Sequence, residues 1–154
     1  MDTVPHRELG LGGLFLEDLA VGMSAVVART ITEADIVMFC GVSGDTNPVH
    51  INEDYASATP FKGRIAHGML TAGLISAVLG TRLPGPGAIY LSQNLKFKAP
   101  VRIGDTVLAR ATVTDIVAEK KRVTLHTACY VGDTMVVDGE AVVMVPRRPN
   151  ASAV

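Results

Sequence analysis

The stretch Ser43-Gly44-Asp45-Thr46-Asn47-Pro48-Val49-His50 sets a carboxylate, a carboxamide and an imidazole close together. Asp45 and His50 are five positions apart with Pro48 between them. On a helix that spacing would not align two side chains, but on a turn both can face one cleft. A carboxylate and an imidazole that share a water can take its proton and hand a proton elsewhere, which is general acid–base chemistry. Taken alone, the pair reads more readily as a turn aspartate and a satisfied histidine. A second element follows at Ala66-His67-Gly68, ahead of an apolar segment. The first N–H groups of a helix lack partners within it and stand at the positive end of its dipole. Such groups can hold a carbonyl oxygen as it gains negative charge, and a glycine lets a ligand approach the backbone closely. By itself a glycine at a helix start is ordinary.

The elements that must position these groups follow from periodicity. Residues 25–31 are rich in β-branched types and read as a strand. At Thr32 the period changes. Thr32 and Asp35 fit a capping box, and Ile36, Phe39 and Cys40 recur at helical spacing. Gly41 and Gly44 loosen that helix and Pro48 disfavours its continuation, so residues 45–50 are expected on a loop. Residues 52–58 suit a short helix capped by Asn52. The apolar helix is expected over residues 67–82, stopped by Leu83-Pro84-Gly85-Pro86-Gly87. The period then becomes two. Strands are expected over 88–99, 106–118, 122–131 and 134–145, with turns at Gly104-Asp105, Glu119-Lys120-Lys121 and Gly132-Asp133. In the third of these, Val123, Leu125, Thr127, Cys129 and Val131 share one face.

Strands joined by short turns are antiparallel, and a sheet with an apolar face must cover it. The adequate cover in this chain is the apolar helix. The plan is therefore α+β, an antiparallel β-sheet wrapped around a central apolar helix. Residues 1–14 are expected to be a flexible arm, 15–146 a single domain and 147–154 a tail.

Composition bounds the function. With 48% hydrophobic and 19% charged residues the chain is expected to fold, and a net charge of −1 supplies no field toward nucleic acid or an anionic membrane. Residues 65–81 carry no Asp, Glu, Lys or Arg. A span needs about 20 mostly apolar residues, and this run is shorter and holds His67, Thr71 and Ser76, so a helix buried in a core is expected instead. Cys40 and Cys129 sit in apolar surroundings without metal-ligand spacing, and no signal-peptide pattern opens the chain, which together suit the cytoplasm. No three of His6, His50, His67 and His126 have zinc-ligand spacing, so no metal is expected. Neither a G-x-S-x-G elbow nor a phosphate loop is present.

Ser43 to His50, followed by Ile65-Ala66-His67-Gly68-Met69-Leu70, closely resembles the MaoC-like, (R)-specific enoyl-CoA hydratases. Phe15-Leu16-Glu17-Asp18-Leu19-Ala20-Val21-Gly22 and Arg29-Thr30-Ile31-Thr32-Glu33-Ala34-Asp35-Ile36 are similar to the family's opening, and the likeness runs from about Phe15 to Val145. Asn52 departs from the Asp often found there. The resemblance implies a hot-dog fold and a homodimer with acyl-CoA bound at or near the subunit interface. It implies that Asp45 and His50 form a catalytic dyad holding the water, that Asn47 orients the dyad, and that the Gly68 N–H polarises the thioester carbonyl. His67, Met69, Lys62 and Arg64 are the expected substrate-binding residues. No cofactor is implied, since coenzyme A is part of the substrate. Open at this point are which dyad member is the base, whether coenzyme A or acyl carrier protein bears the acyl group, and chain length. Two other readings are a hot-dog acyl-CoA thioesterase, which normally lacks this loop, and a non-catalytic acyl-thioester-binding subunit of a dehydratase complex.

Overall fold

The computed structural model describes residues 10–149. A 3-10 turn at Leu16–Asp18 leads into β1 (Ser24–Thr30), and the helices α1 (Glu33–Ser43), α2 (Pro48–Ile51), α3 (Glu53–Ser57) and α4 (Gly68–Thr81) follow, with a second 3-10 turn at Ala118–Lys120. The rest is β2 (Ile89–Phe97), β3 (Thr106–Val117), β4 (Arg122–Val131) and β5 (Thr134–Met144). The five strands form one sheet in the order β1-β3-β4-β5-β2, and every neighbouring pair is antiparallel. This is the hot-dog architecture.

Alternation builds the sheet. Val107, Ala109, Ala111 and Val113 of β3 point inward and are buried, as are Val123, Leu125, Thr127 and Cys129 of β4. Helix α4 lies on that face and contacts β1, β3, β4, β5 and β2. Its Leu74, Ile75, Val78 and Leu79 are buried, each side chain worth about 1.5–3 kcal/mol on removal from water. The small Ala109 and Ala111 under the helix leave room for its larger side chains. The helix is not buried all round, as its apolar run suggests: Met69, Gly73, Ser76 and Gly80 form an exposed seam at helical spacing. Among the described residues no helix is long and apolar enough to cross a membrane.

Two local departures bear on the site. Residues 45–50 are not wholly a loop. Pro48 begins α2, with Asn47 as its N-cap. Proline has no N–H to lose at the first helical position and its φ is already helical, so it starts this helix rather than only ending the one before. His67 does not lie in α4 but caps it. Thr32 and Asp35 form the expected capping box at the start of α1.

The arm expected over residues 1–14 and the tail over 147–154 lie largely outside the described residues. Some of those that are described bond to the domain. Gly13 and Leu14 donate to the carbonyls of Pro86 and Pro84, and the Arg148 N–H donates to the Glu17 carboxylate.

Candidate active site

The turn between α1 and α2 carries the carboxylate. Helix α1 ends at Gly44, whose φ of 77° is the left-handed conformation that glycine accepts at least cost. Its N–H bonds the Cys40 carbonyl. Asp45 is then held at three points. Its N–H donates to Ser43 Oγ (3.1 Å), its carboxylate accepts from the Asn47 N–H (3.2 Å), and its carbonyl accepts from His67 Nε2 (3.0 Å).

Helix α2 carries the imidazole. Asn47 Oδ1 accepts the Val49 N–H, which fixes the start of the single turn that bears His50. Among the described residues no hydrogen bond joins the Asn47 carboxamide to the Asp45 or His50 side chain; it caps α2 instead. His50 is 8% exposed. Its Nδ1 lies 2.8 Å from the carbonyl of Ile65. A carbonyl only accepts, so Nδ1 carries the proton and Nε2 is left with its lone pair. The His50 imidazole is thereby set as an acceptor.

Asp45, His50, His67, Gly68 and Met69 line one cleft of about 410 Å³. Its other walls are mostly apolar and include Phe61, Ile65, Phe97, Ala99, Val101, Val136 and Val137. The N-terminus of α4 opens into it. The N–H groups of Gly68, Met69 and Leu70 have no carbonyl one turn back within the helix, so they remain donors there. A methyl group at Gly68 would lie 2.7 Å from the Phe97 ring. The missing side chain therefore makes room for Phe97 as well as for a ligand.

His67 is 2% exposed, so it offers little surface to a substrate. Its ring stacks on that of His50 with centroids 3.8 Å apart and planes tilted by 29°. Asp45, His50 and His67 each present a potential metal-ligand atom within 4.8 Å of the others, a grouping that spacing along the chain does not disclose. Each ring gives one N–H to a backbone carbonyl. Each ring therefore keeps one nitrogen lone pair as an acceptor.

Arg64 takes a different part from the one expected of it. Its guanidinium binds both carboxylate oxygens of Glu33 (2.7 and 3.0 Å), and its Nε donates to the His50 carbonyl (2.7 Å). These bonds commit it to joining α1 to α2, and a phosphate would have to compete with Glu33. The Arg64 hydrogen bond holds Glu33 below the usual carboxylate range. Lys62 is exposed, at a φ of 58°, directly after the cleft residue Phe61.

Three participants escaped the sequence reading. The Ile65 carbonyl is a backbone acceptor, which no side-chain pattern marks. Phe97 stands on the same face of β2 as the half-buried Leu95, and its exposed ring borders the cleft, so the strand period carried a signal for it. Lys98 follows it into the cleft wall without a distinguishing pattern.

Comparison with known proteins adds an independent line. Residues 20–137 match the family model described as MaoC like domain. An "(R)-specific enoyl-CoA hydratase" of Rhodospirillum rubrum is 66% identical over 134 residues, covering 87% of this chain and 93% of the relative. A "3-hydroxybutyryl-CoA dehydratase" of Methylorubrum extorquens is 53% identical, covering 90% and 88%. Among solved structures, an unliganded R-hydratase from Pseudomonas aeruginosa superposes with a TM-score of 0.83 at 44% identity, covering 88% of each chain.

Proposed function

The chain belongs to the MaoC-like domain family, and we propose that it is an (R)-specific enoyl-CoA hydratase, adding water reversibly across trans-2-enoyl-CoA to give (3R)-3-hydroxyacyl-CoA. The observation that carries this reading is the pairing of two acceptors with one set of donors in a single cleft. Asp45 and the free Nε2 of His50 are the acceptors, and the N-terminus of α4 supplies the donors. The names of the relatives from R. rubrum and M. extorquens describe the two directions of one such reaction.

The chemistry follows from the geometry. One water has two protons to donate, and the dyad offers two acceptors for them. Held this way, its lone pairs face the substrate. The Gly68 N–H binds the thioester oxygen and draws electron density from the conjugated double bond, which makes C3 electrophilic. The C3–O bond forms as the water's proton passes to the Asp45–His50 pair. Charge accumulates on the thioester oxygen, where the helix terminus stabilises it. A proton from the pair then reaches C2 on the same face, and the carbonyl re-forms. Net, H and OH add across the double bond. No step draws on a cofactor, and coenzyme A enters as the carrier of the acyl group. Lys98 in the cleft wall and Lys62 beside Phe61 are two cations near enough to meet its phosphates, while Met69 borders the acyl path.

The protein acts as a homodimer in this reading. The exposed seam of α4 and the exposed Ile89, Tyr90, Leu91 and Phe97 of the edge strand β2 are apolar surfaces that a second copy would cover. A cytoplasmic setting goes with Cys40 and Cys129 as buried thiols.

The test is hydration of crotonyl-CoA, followed by loss of enoyl-thioester absorbance. Wild type is expected to give the (3R) product, and Asp45→Asn and His50→Ala are each expected to lose at least roughly 10²-fold in turnover. A folded Asp45→Asn protein at near-full rate would sink the assignment. Release of free thiol from acyl-CoA would favour a thioesterase, and binding without turnover a non-catalytic subunit.

A further inference from the structure

We propose that His67 is the positioning residue of the dyad, holding the Asp45 turn and the His50 ring in register without touching substrate. This rests on the hydratase reading of the same cleft. Two of the three bonds on Asp45 come from inside its own turn, from Ser43 and Asn47. The third, His67 Nε2–H to the Asp45 carbonyl, comes from a residue on the far side of α2 and α3 in the chain. It therefore ties an exposed turn to the cap of the central helix. The same ring lies flat on His50, the one dyad member on a different element. His67 thus touches both halves of the dyad at once, one through an N–H and the other through its face.

His67 is itself well fixed. Phe39 packs on it with ring centroids 4.7 Å apart, and Cys40 Sγ lies 3.5 Å from Nε2. The preceding Ala66 N–H donates to the Val101 carbonyl at 2.7 Å. The Asp45 carbonyl can only accept, so Nε2 carries the proton. Nδ1 is buried and has no hydrogen-bond partner among the described residues. What an apolar residue would lack here is the Nε2 proton on Asp45. The sequence expectation of a substrate-binding His67 gives way to this role because the ring is covered by Phe39 and His50 and its Nε2 proton goes to Asp45.

The experiment compares His67→Leu, His67→Asn and His67→Gln with wild type on crotonyl-CoA. A glutamine amide can place an N–H near the position of Nε2, whereas asparagine is too short to reach and leucine has no donor. A misplacement of about 1 Å costs on the order of 10²-fold, so kcat is expected to fall by about that factor in the leucine and asparagine variants. KM should stay within about threefold, and glutamine should recover about tenfold of the lost rate. Amide exchange at Asp45, Thr46 and Asn47 should quicken in His67→Leu and His67→Asn but not in His67→Gln. If leucine does not fold, the asparagine–glutamine pair gives the same comparison. A loss confined to KM would mean direct substrate contact and overturn the proposal. Equal rates in the glutamine and asparagine variants would overturn it too. Wild type inactive on every enoyl thioester would instead bring down the hydratase reading, while the exchange pattern would still report on the His67–Asp45 tie.

Discussion

Gly68 serves two neighbours with one missing side chain. Its N–H faces the cleft at the start of α4, and its bare Cα accommodates the ring of Phe97. Gly68→Ala is therefore expected to lose activity and stability together. The stability loss belongs to the clash, so it should be partly recovered in Gly68→Ala/Phe97→Ala. A double-mutant cycle by urea unfolding should give a coupling of about 0.5–3 kcal/mol. A coupling of zero would mean the ring moves aside freely. Cys129 makes a second residue-scale prediction. Burial pushes its thiol up to about 12, so little thiolate exists near neutrality. Iodoacetamide at pH 8 should leave it unmodified in the native protein and label it after unfolding, as read by mass spectrometry.

At the scale of elements, α1 is held at its start by reciprocal bonds: the Asp35 N–H donates to Thr32 Oγ1, and the Thr32 N–H donates to Asp35 Oδ2. Thr32→Ala should cost about 1 kcal/mol in thermal or chemical unfolding. The bonds from Thr32, then the Arg29 charge, hold Asp35 below its ordinary 3.8. A depressed carboxylate contributes stability that is present above its unfolded value and lost as pH falls through its folded one. Acid unfolding should therefore draw on Asp35 only below about pH 4, and Asp35→Asn should flatten that limb of the stability curve. The box itself was legible in the sequence, as were the strands and the apolar helix, because caps and periods are local. Helix α2 was not. Pro48 was read by what it forbids behind it, while its fitness to open a helix needed the Asn47 cap to be weighed with it. That Asp45 and His50 can face one cleft was legible in their spacing on a turn, but the tautomer of His50 was not. Its tautomer is set by a backbone carbonyl fifteen residues away, which leaves no mark in residue types. Arg64 shows the same limit from the other side. A free cation and one committed to Glu33 look alike in sequence.

At the scale of the molecule, the seam of Gly73, Ser76 and Gly80 is the surface to test. Sedimentation of wild type should return twice the 16.2 kDa chain mass, and Gly73→Glu or Gly80→Glu should return a single chain. A wild-type monomer that still turns over crotonyl-CoA would show that the second copy is dispensable. The strand order has a different consequence, for the time at which the site comes into being. β1 pairs with β3 and β2 pairs with β5, so each early strand waits for a partner later in the chain. The turn bearing Asp45 and the start of α4 leave the ribosome well before β3 and β5 do. For that interval Asp45, His50 and Gly68 belong to a segment with no sheet pairing, its apolar helix still uncovered. The first half of the nascent chain is thus the part most in need of shelter during synthesis, and the site is among the last things the completed protein acquires.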